Sequence, residues 1–203
     1  MISAIFGIVI NFSDKYFLEK YGNIEDLSSY FLAFSFANVL PFVFASFQNI
    51  WLPMFLKESD SQKNFEKTRR IIRKLLVAFM VIGVLVWVMV FLCLKVNVIQ
   101  AKYSKALTIL PLLILAQIVS PITTLYSNYL ISIEKTYVAS VAGLIVSLIS
   151  ISIGAYLVPR YGVYGSALSI FGSYLSYLVL YYYWVRFENR RLDYSMAIMT
   201  SFK

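Results

Sequence analysis

Apolar residues run along this chain in long uninterrupted blocks, separated by short polar stretches, with no sustained alternation of the kind that marks strands. Blocks of roughly 20 residues at 1.5 Å per residue match the thickness of a bilayer's hydrocarbon core, so each reads as a transmembrane helix. Six are expected. Helix A covers about 2–17 and is followed by an outer loop, Leu18 to Ser28, that holds Tyr21-Gly22-Asn23 and the acidic pair Glu25-Asp26. Helix B covers about 29–55, is interrupted by Pro41 and is bounded by Pro53. A mixed-charge linker from Lys57 to Arg70 reads as a solvated loop and an amphipathic start to helix C, about 71–94, with a headgroup or partner site as its alternative. Helix D covers about 104–132 with Pro111 and Pro121 inside it. Helix E covers about 136–158 and stops at a turn, Pro159-Arg160-Tyr161-Gly162. Helix F covers about 163–187, before a short polar tail. The fold class expected is therefore all-α, a single polytopic membrane bundle over 1–203. The spans use most of the chain and leave no room for a sizeable soluble domain.

Composition agrees with this reading. The chain is 60% hydrophobic and 14% charged, against about 45–50% and about 25% in ordinary soluble domains. The net charge of +8 sorts between the two sides of the bundle and is not gathered into a nucleic-acid footprint, so no nucleic-acid partner is expected. With the 57–74 segment on the cytoplasmic side, that side carries Lys57, Lys63, Lys67, Arg69, Arg70, Arg73, Lys74, Lys135, Arg186, Arg190, Arg191 and Lys203. The opposite side carries only Lys15, Lys20, Lys95, Lys102, Lys105 and Arg160. This bias obeys the positive-inside rule and places both termini in the cytoplasm. The aromatic groups Tyr181-Tyr182-Tyr183-Trp184 and Tyr161/Tyr164 fall where helix ends meet headgroups.

The chemistry is narrowed by what the sequence lacks. With no histidine and a single cysteine, Cys93, zinc and haem have no usual ligand set and no cofactor is expected. No histidine-based nucleophile arrangement or glycine-rich phosphate loop is present, so no enzyme is expected. As drawn, the hydrocarbon interiors contain no charged residue. Asp14 and Lys15 stand at the mouth of helix A as a local pair, an interface anchor or the first contacts of a cavity.

Two polar faces stand out. Gln117, Pro121, Thr124 and Asn128 share one face of helix D, and Asn38, Pro41, Ala45 and Gln48 repeat the rhythm on helix B. Such amides do not face lipid. They serve either as interhelical glue or as the lining of a polar lumen. Helix E carries Ser140, Gly143, Ser147, Ser150 and Gly154, and helix F carries Gly165, Ser169, Gly172 and Ser176. Small residues at this spacing predict a tight E–F hairpin.

An ordered set of short motifs then points to a family. Ser13-Asp14-Lys15-Tyr16-Phe17-Leu18 followed by Tyr21-Gly22 and Ser29-Tyr30, then Trp51-Leu52-Pro53, Tyr103-Ser104-Lys105-Ala106 with Ile109-Leu110-Pro111, and finally Val158-Pro159-Arg160-Tyr161-Gly162-Val163-Tyr164-Gly165-Ser166-Ala167 resemble the second half of a polysaccharide flippase. The family belongs to the multidrug/oligosaccharidyl-lipid/polysaccharide exporter superfamily. Lys15 stands where the family more often has arginine, and Ser28-Ser29 replaces a glycine before the tyrosine.

The resemblance implies one lobe, the C-terminal one, of a two-lobe flippase in a bacterial inner membrane. It implies undecaprenyl-diphosphate-linked sugar, an O-antigen or other polysaccharide repeat unit, as substrate, with membrane lipid around it. A missing N-terminal lobe or a second copy of the chain would be its partner. Lys15, Asn38, Gln48, Gln117, Thr124 and Asn128 are the candidate substrate contacts, with Lys15 near the outer mouth. The alternatives are a non-transporting fragment or assembly subunit of a polysaccharide export system, a membrane glycosyl or phosphoglycosyl transferase, and a drug or lipid-precursor exporter of the same superfamily.

Overall fold

The computed structural model describes the chain at residues 2–57 and 61–201, and its side chains at 5–57, 63–100 and 102–190. Glu58 to Asp60 of the predicted linker and Lys203 of the predicted basic side lie outside the described residues. The fold is an all-α membrane bundle: α1 (Ile2–Tyr21), α2 (Ile24–Ala37), α3 (Val39–Leu56), α4 (Ser61–Lys95), α5 (Ser104–Ser132), α6 (Tyr137–Tyr161) and α7 (Val163–Ser201), with a 3₁₀ turn at Ala101–Tyr103 before α5.

Among the described residues five stretches are long and apolar enough to cross a membrane: Ile24–Leu56, Lys63–Lys95, Ser104–Ser132, Tyr137–Tyr161 and Val163–Arg190. The first joins α2 and α3. They part at Asn38, three residues before Pro41, whose missing N–H leaves the Ala37 carbonyl without its helical donor. α1 lies outside that set, its side chains being described only from residue 5 on. Its 20 residues still reach about 30 Å.

Side-chain pairs give the register. Phe6 against Gly143, Ser13 with Ser150 and Phe17 against Gly154 keep a constant spacing, so α1 and α6 run parallel and side by side. Asp26 with Lys105 and Asn38 with Gln117 are both 79 positions apart, so α2 runs parallel to α5. Thr108 with Tyr164 and Tyr126 with Tyr182 set α5 parallel to α7. Phe65 with Tyr129 and Gly83 against Ile114 set α4 antiparallel to α5. These directions alternate along the chain, which is the order of an up-and-down bundle. α5 lies at its centre, with Ile109, Leu110, Leu113, Leu125 and Tyr129 fully enclosed.

Several element ends differ from the sequence reading. α1 continues through Leu18 to Tyr21, and α2 starts at Ile24 under an Asn23 cap whose side chain accepts from the Asp26 N–H. The predicted outer loop is thus mostly helix. Likewise α4 starts at Ser61, so most of the charged linker is helical. Pro159 lies inside α6, which turns only at Gly162, a glycine at φ 54°. α7 runs on to Ser201, past the predicted end at Phe187.

The α6–α7 hairpin is closely packed along the small-residue stripes. A Cβ added to Gly165 would lie 2.3 Å from the Leu157 carbonyl oxygen. The helix E stripe also receives α1, through Phe6 at Gly143 and Phe17 at Gly154.

Candidate functional site

The charged residues drawn at the mouth of helix A lie inside the bundle. Because α1 continues to Tyr21, Asp14 and Lys15 sit about 10 Å in from its end. Asp14 is 1% exposed, Lys15 8% and Tyr30 of α2 0%. The Tyr30 hydroxyl donates to Asp14 Oδ2. Lys15 Nζ is 3.6 Å from Asp14 Oδ1, donates to the Asn11 carbonyl at 2.5 Å and lies 3.9 Å from the centre of the Phe34 ring. An ion pair completed by hydrogen bonds and an aromatic face is the form in which charge is tolerated at this depth.

Asn11 links this pair to a second feature. One helical turn separates it from Lys15, and its Oδ1 accepts from the Tyr174 hydroxyl of α7 at 2.9 Å while its Nδ2 donates to the Gly7 carbonyl. Beside it, α1, α5 and α7 enclose a cleft of about 240 Å³, lined by Gly7, Ile10, Asn11, Ser120, Thr123, Thr124, Ser127, Tyr174, Tyr177 and Tyr181. Thr123 and Thr124 both donate their hydroxyl protons to the Ser120 carbonyl. Their oxygen lone pairs are left to accept from a guest. The lining is therefore a set of neutral hydroxyls and one amide, suited to the hydroxyls of a sugar or another polar, uncharged group.

The six sequence-predicted residues do not gather in one place. Thr124 lines the cleft. Asn38 and Gln117 bond each other, Gln117 Nε2 to Asn38 Oδ1 at 3.2 Å, so these parts of the helix B and helix D faces act as glue. Asn128, one turn beyond Thr124, is buried with its Nδ2 unpartnered among the described residues. Gln48 is half-buried on α3 and is not among the residues lining the cleft. Lys15 is enclosed, not at an outer mouth, with Asp14 and Phe34 against its ammonium.

Sequence reasoning missed Asn11, Ser120, Thr123, Ser127 and the tyrosines of α7. The available signal was the spacing of Tyr174, Tyr177 and Tyr181, which shares one helical face. Among the described residues no group of three or more His, Cys, Asp or Glu comes together. No family model matches this chain, and no curated protein and no solved structure matches it. What is shown is a polytopic helical membrane protein with a polar cleft and a buried ion pair.

Proposed function

We propose that this chain is one lobe of a membrane transporter that moves a lipid-linked oligosaccharide between leaflets. The supporting observation is the cleft between α1, α5 and α7, where an amide and several hydroxyls line one cavity within the bundle. In this reading the sugar unit follows the hydroxyl-lined side while its lipid tail stays among acyl chains, and rocking of this lobe against a second one exposes the cleft to each side in turn. The second lobe is either a separate six-helix chain or another copy of this one. The buried Asp14–Lys15 pair holds α1 to α2 at the far end of the cleft. The basic end faces the cytoplasm.

A second reading has its own support. The Asn38–Gln117 hydrogen bond satisfies two of the residues that a lumen would leave open, which is what a non-transporting assembly subunit would do with them.

Transport into vesicles separates the two. The chain is reconstituted alone and with a candidate partner lobe, together with a fluorescent prenyl-diphosphate oligosaccharide, and the fraction moved to the inner leaflet is read by quenching from outside. The transport reading expects movement that falls about tenfold or more in Thr124→Val with Ser127→Ala. An equal rate in vesicles lacking the protein, with either composition, favours the subunit.

A further inference from the structure

The basic end of the bundle holds a second cavity that neither the transport reading nor the buried ion pair uses. Between α4, α5 and α7 lies a cleft of about 300 Å³ lined by Phe65, Arg69, Tyr126, Tyr182, Val185 and Arg186. Two guanidiniums from different helices face it, and its lining includes no carboxylate. The Arg186 Nη1 donates to the Tyr182 hydroxyl at 3.4 Å, and the Tyr126 and Tyr182 rings meet edge to face at 6.5 Å. Among the described residues neither Arg69 nor Arg186 is in an ion pair. Of the nearby acids, Glu188 pairs with Lys135 at 3.5 Å, and Glu66 lines an adjoining groove that Arg69 shares, where four basic residues, Arg69, Arg70, Arg73 and Lys74, outnumber it.

Depth identifies the ligand. The charged start of α4 ends at Lys74, and the apolar run that enters the bilayer begins at Leu75. Arg69 therefore sits about 9 Å outside the hydrocarbon edge at 1.5 Å per residue. On α7, Arg186 lies two residues after the aromatic group Tyr181 to Trp184, whose side chains favour the headgroup layer. Paired guanidinium forks at that level match phosphate oxygens, and Tyr182, one turn toward the bilayer from Arg186, offers its ring to the first methylenes of a chain. Basic pockets between transmembrane helices at the cytoplasmic surface commonly hold anionic headgroups.

We propose that the cleft between Arg69 and Arg186 binds the phosphate headgroup of an anionic lipid. This does not rest on the transport reading, because binding is measured without translocation. The full chain, purified in uncharged detergent, is titrated with phosphatidic acid and followed by native mass spectrometry. Phosphatidylcholine and inorganic phosphate are titrated in parallel.

Saturable phosphatidic acid binding is expected, weakened tenfold or more in the double variant Arg69→Gln with Arg186→Gln, and weakened less in Arg69→Lys with Arg186→Lys, which keeps charge but loses the fork. Both arginines are exposed, so folding is expected to survive, and an unchanged melting temperature checks it. Arg160→Gln, at the opposite end of the bundle, leaves binding unchanged. Equal affinity for phosphatidylcholine, or full binding in the glutamine double variant, overturns the proposal. Inorganic phosphate that binds as tightly and displaces the lipid overturns the lipid as the source and leaves a phosphate site.

Discussion

Lys15 shows how the position of a helix end changes the meaning of a residue. Read with helix A ending near Tyr16, Asp14 and Lys15 are interfacial and unremarkable. With α1 extended to Tyr21 they are about two turns inside, enclosed against Tyr30 and Phe34. The sequence contained the stop signal, Gly22 followed by an Asn23 cap, but the apolar block had already thinned out five residues earlier, and hydropathy marks a bilayer edge more than a helix end. The partners Asn11, Tyr30 and Tyr174 were illegible for another reason: they come from three helices, and only packing brings them together. Lone charges are far costlier in this setting than a neutral pair. Lys15→Met, which leaves the Asp14 carboxylate without its cation, is expected to destabilise the protein by about 3 kcal/mol in reversible unfolding from detergent micelles. Adding Asp14→Asn should restore most of that loss. If the two single effects simply add, the pair is not a coupled unit. Tyr30→Phe removes one hydrogen bond to the carboxylate and is expected to cost about 1 kcal/mol in the same measurement.

At the scale of elements, the small-residue stripes made the α6–α7 hairpin legible in the sequence, since Ser and Gly at three- and four-residue spacing leave room for a neighbouring backbone. What they could not give was the identity of every neighbour. The helix E stripe takes α1 as well as α7, and a face that is merely small does not say who fills it. The polar faces of helices B and D were likewise visible as faces, yet only Asn38 and Gln117 turned toward each other, and the cleft formed instead where Thr124 meets α1 and α7. The closeness at the hairpin is testable. A Cβ at Gly165 would lie 2.3 Å from a backbone oxygen and 2.9 Å from the Val158 Cα, neither of which can swing aside, whereas one at Gly172 would meet only the tip of Ile153 at 3.3 Å. Gly165→Ala is therefore expected to destabilise by about 1–3 kcal/mol and to lower the melting temperature in micelles. Gly172→Ala should fall well short of that, and Gly7→Ala, with nothing within 4 Å of its new carbon, should match the parent. A Gly165→Ala protein as stable as the parent would mean that the helices sit farther apart than described.

For the whole molecule, alternating helix directions and a one-sided distribution of basic residues make a joint statement about how the bundle sits in a membrane. The Asp26–Lys105 and Tyr164–Thr108 contacts gather the ends of α2, α5 and α7 at one face, and the Lys135–Glu188 and Phe65–Tyr129 contacts gather the opposite ends. By the positive-inside rule the second face is expected in the cytoplasm. Cys93 is the only cysteine, so a Cys93→Ser background allows single reporters to be placed at exposed positions on either face. Treated with a membrane-impermeant maleimide in intact cells, Ile24→Cys and Val98→Cys are expected to label at once, and Thr136→Cys only after permeabilisation. A peptide tag joined ahead of residue 1 should report with Thr136, because α1, running parallel to α6, makes a sixth crossing. Labelling of Thr136 in intact cells, with Ile24 and Val98 protected, would reverse the orientation and keep the bundle. A tag that reports with Ile24 would remove the α1 crossing, and with it the depth at which Asp14 and Lys15 meet Tyr30.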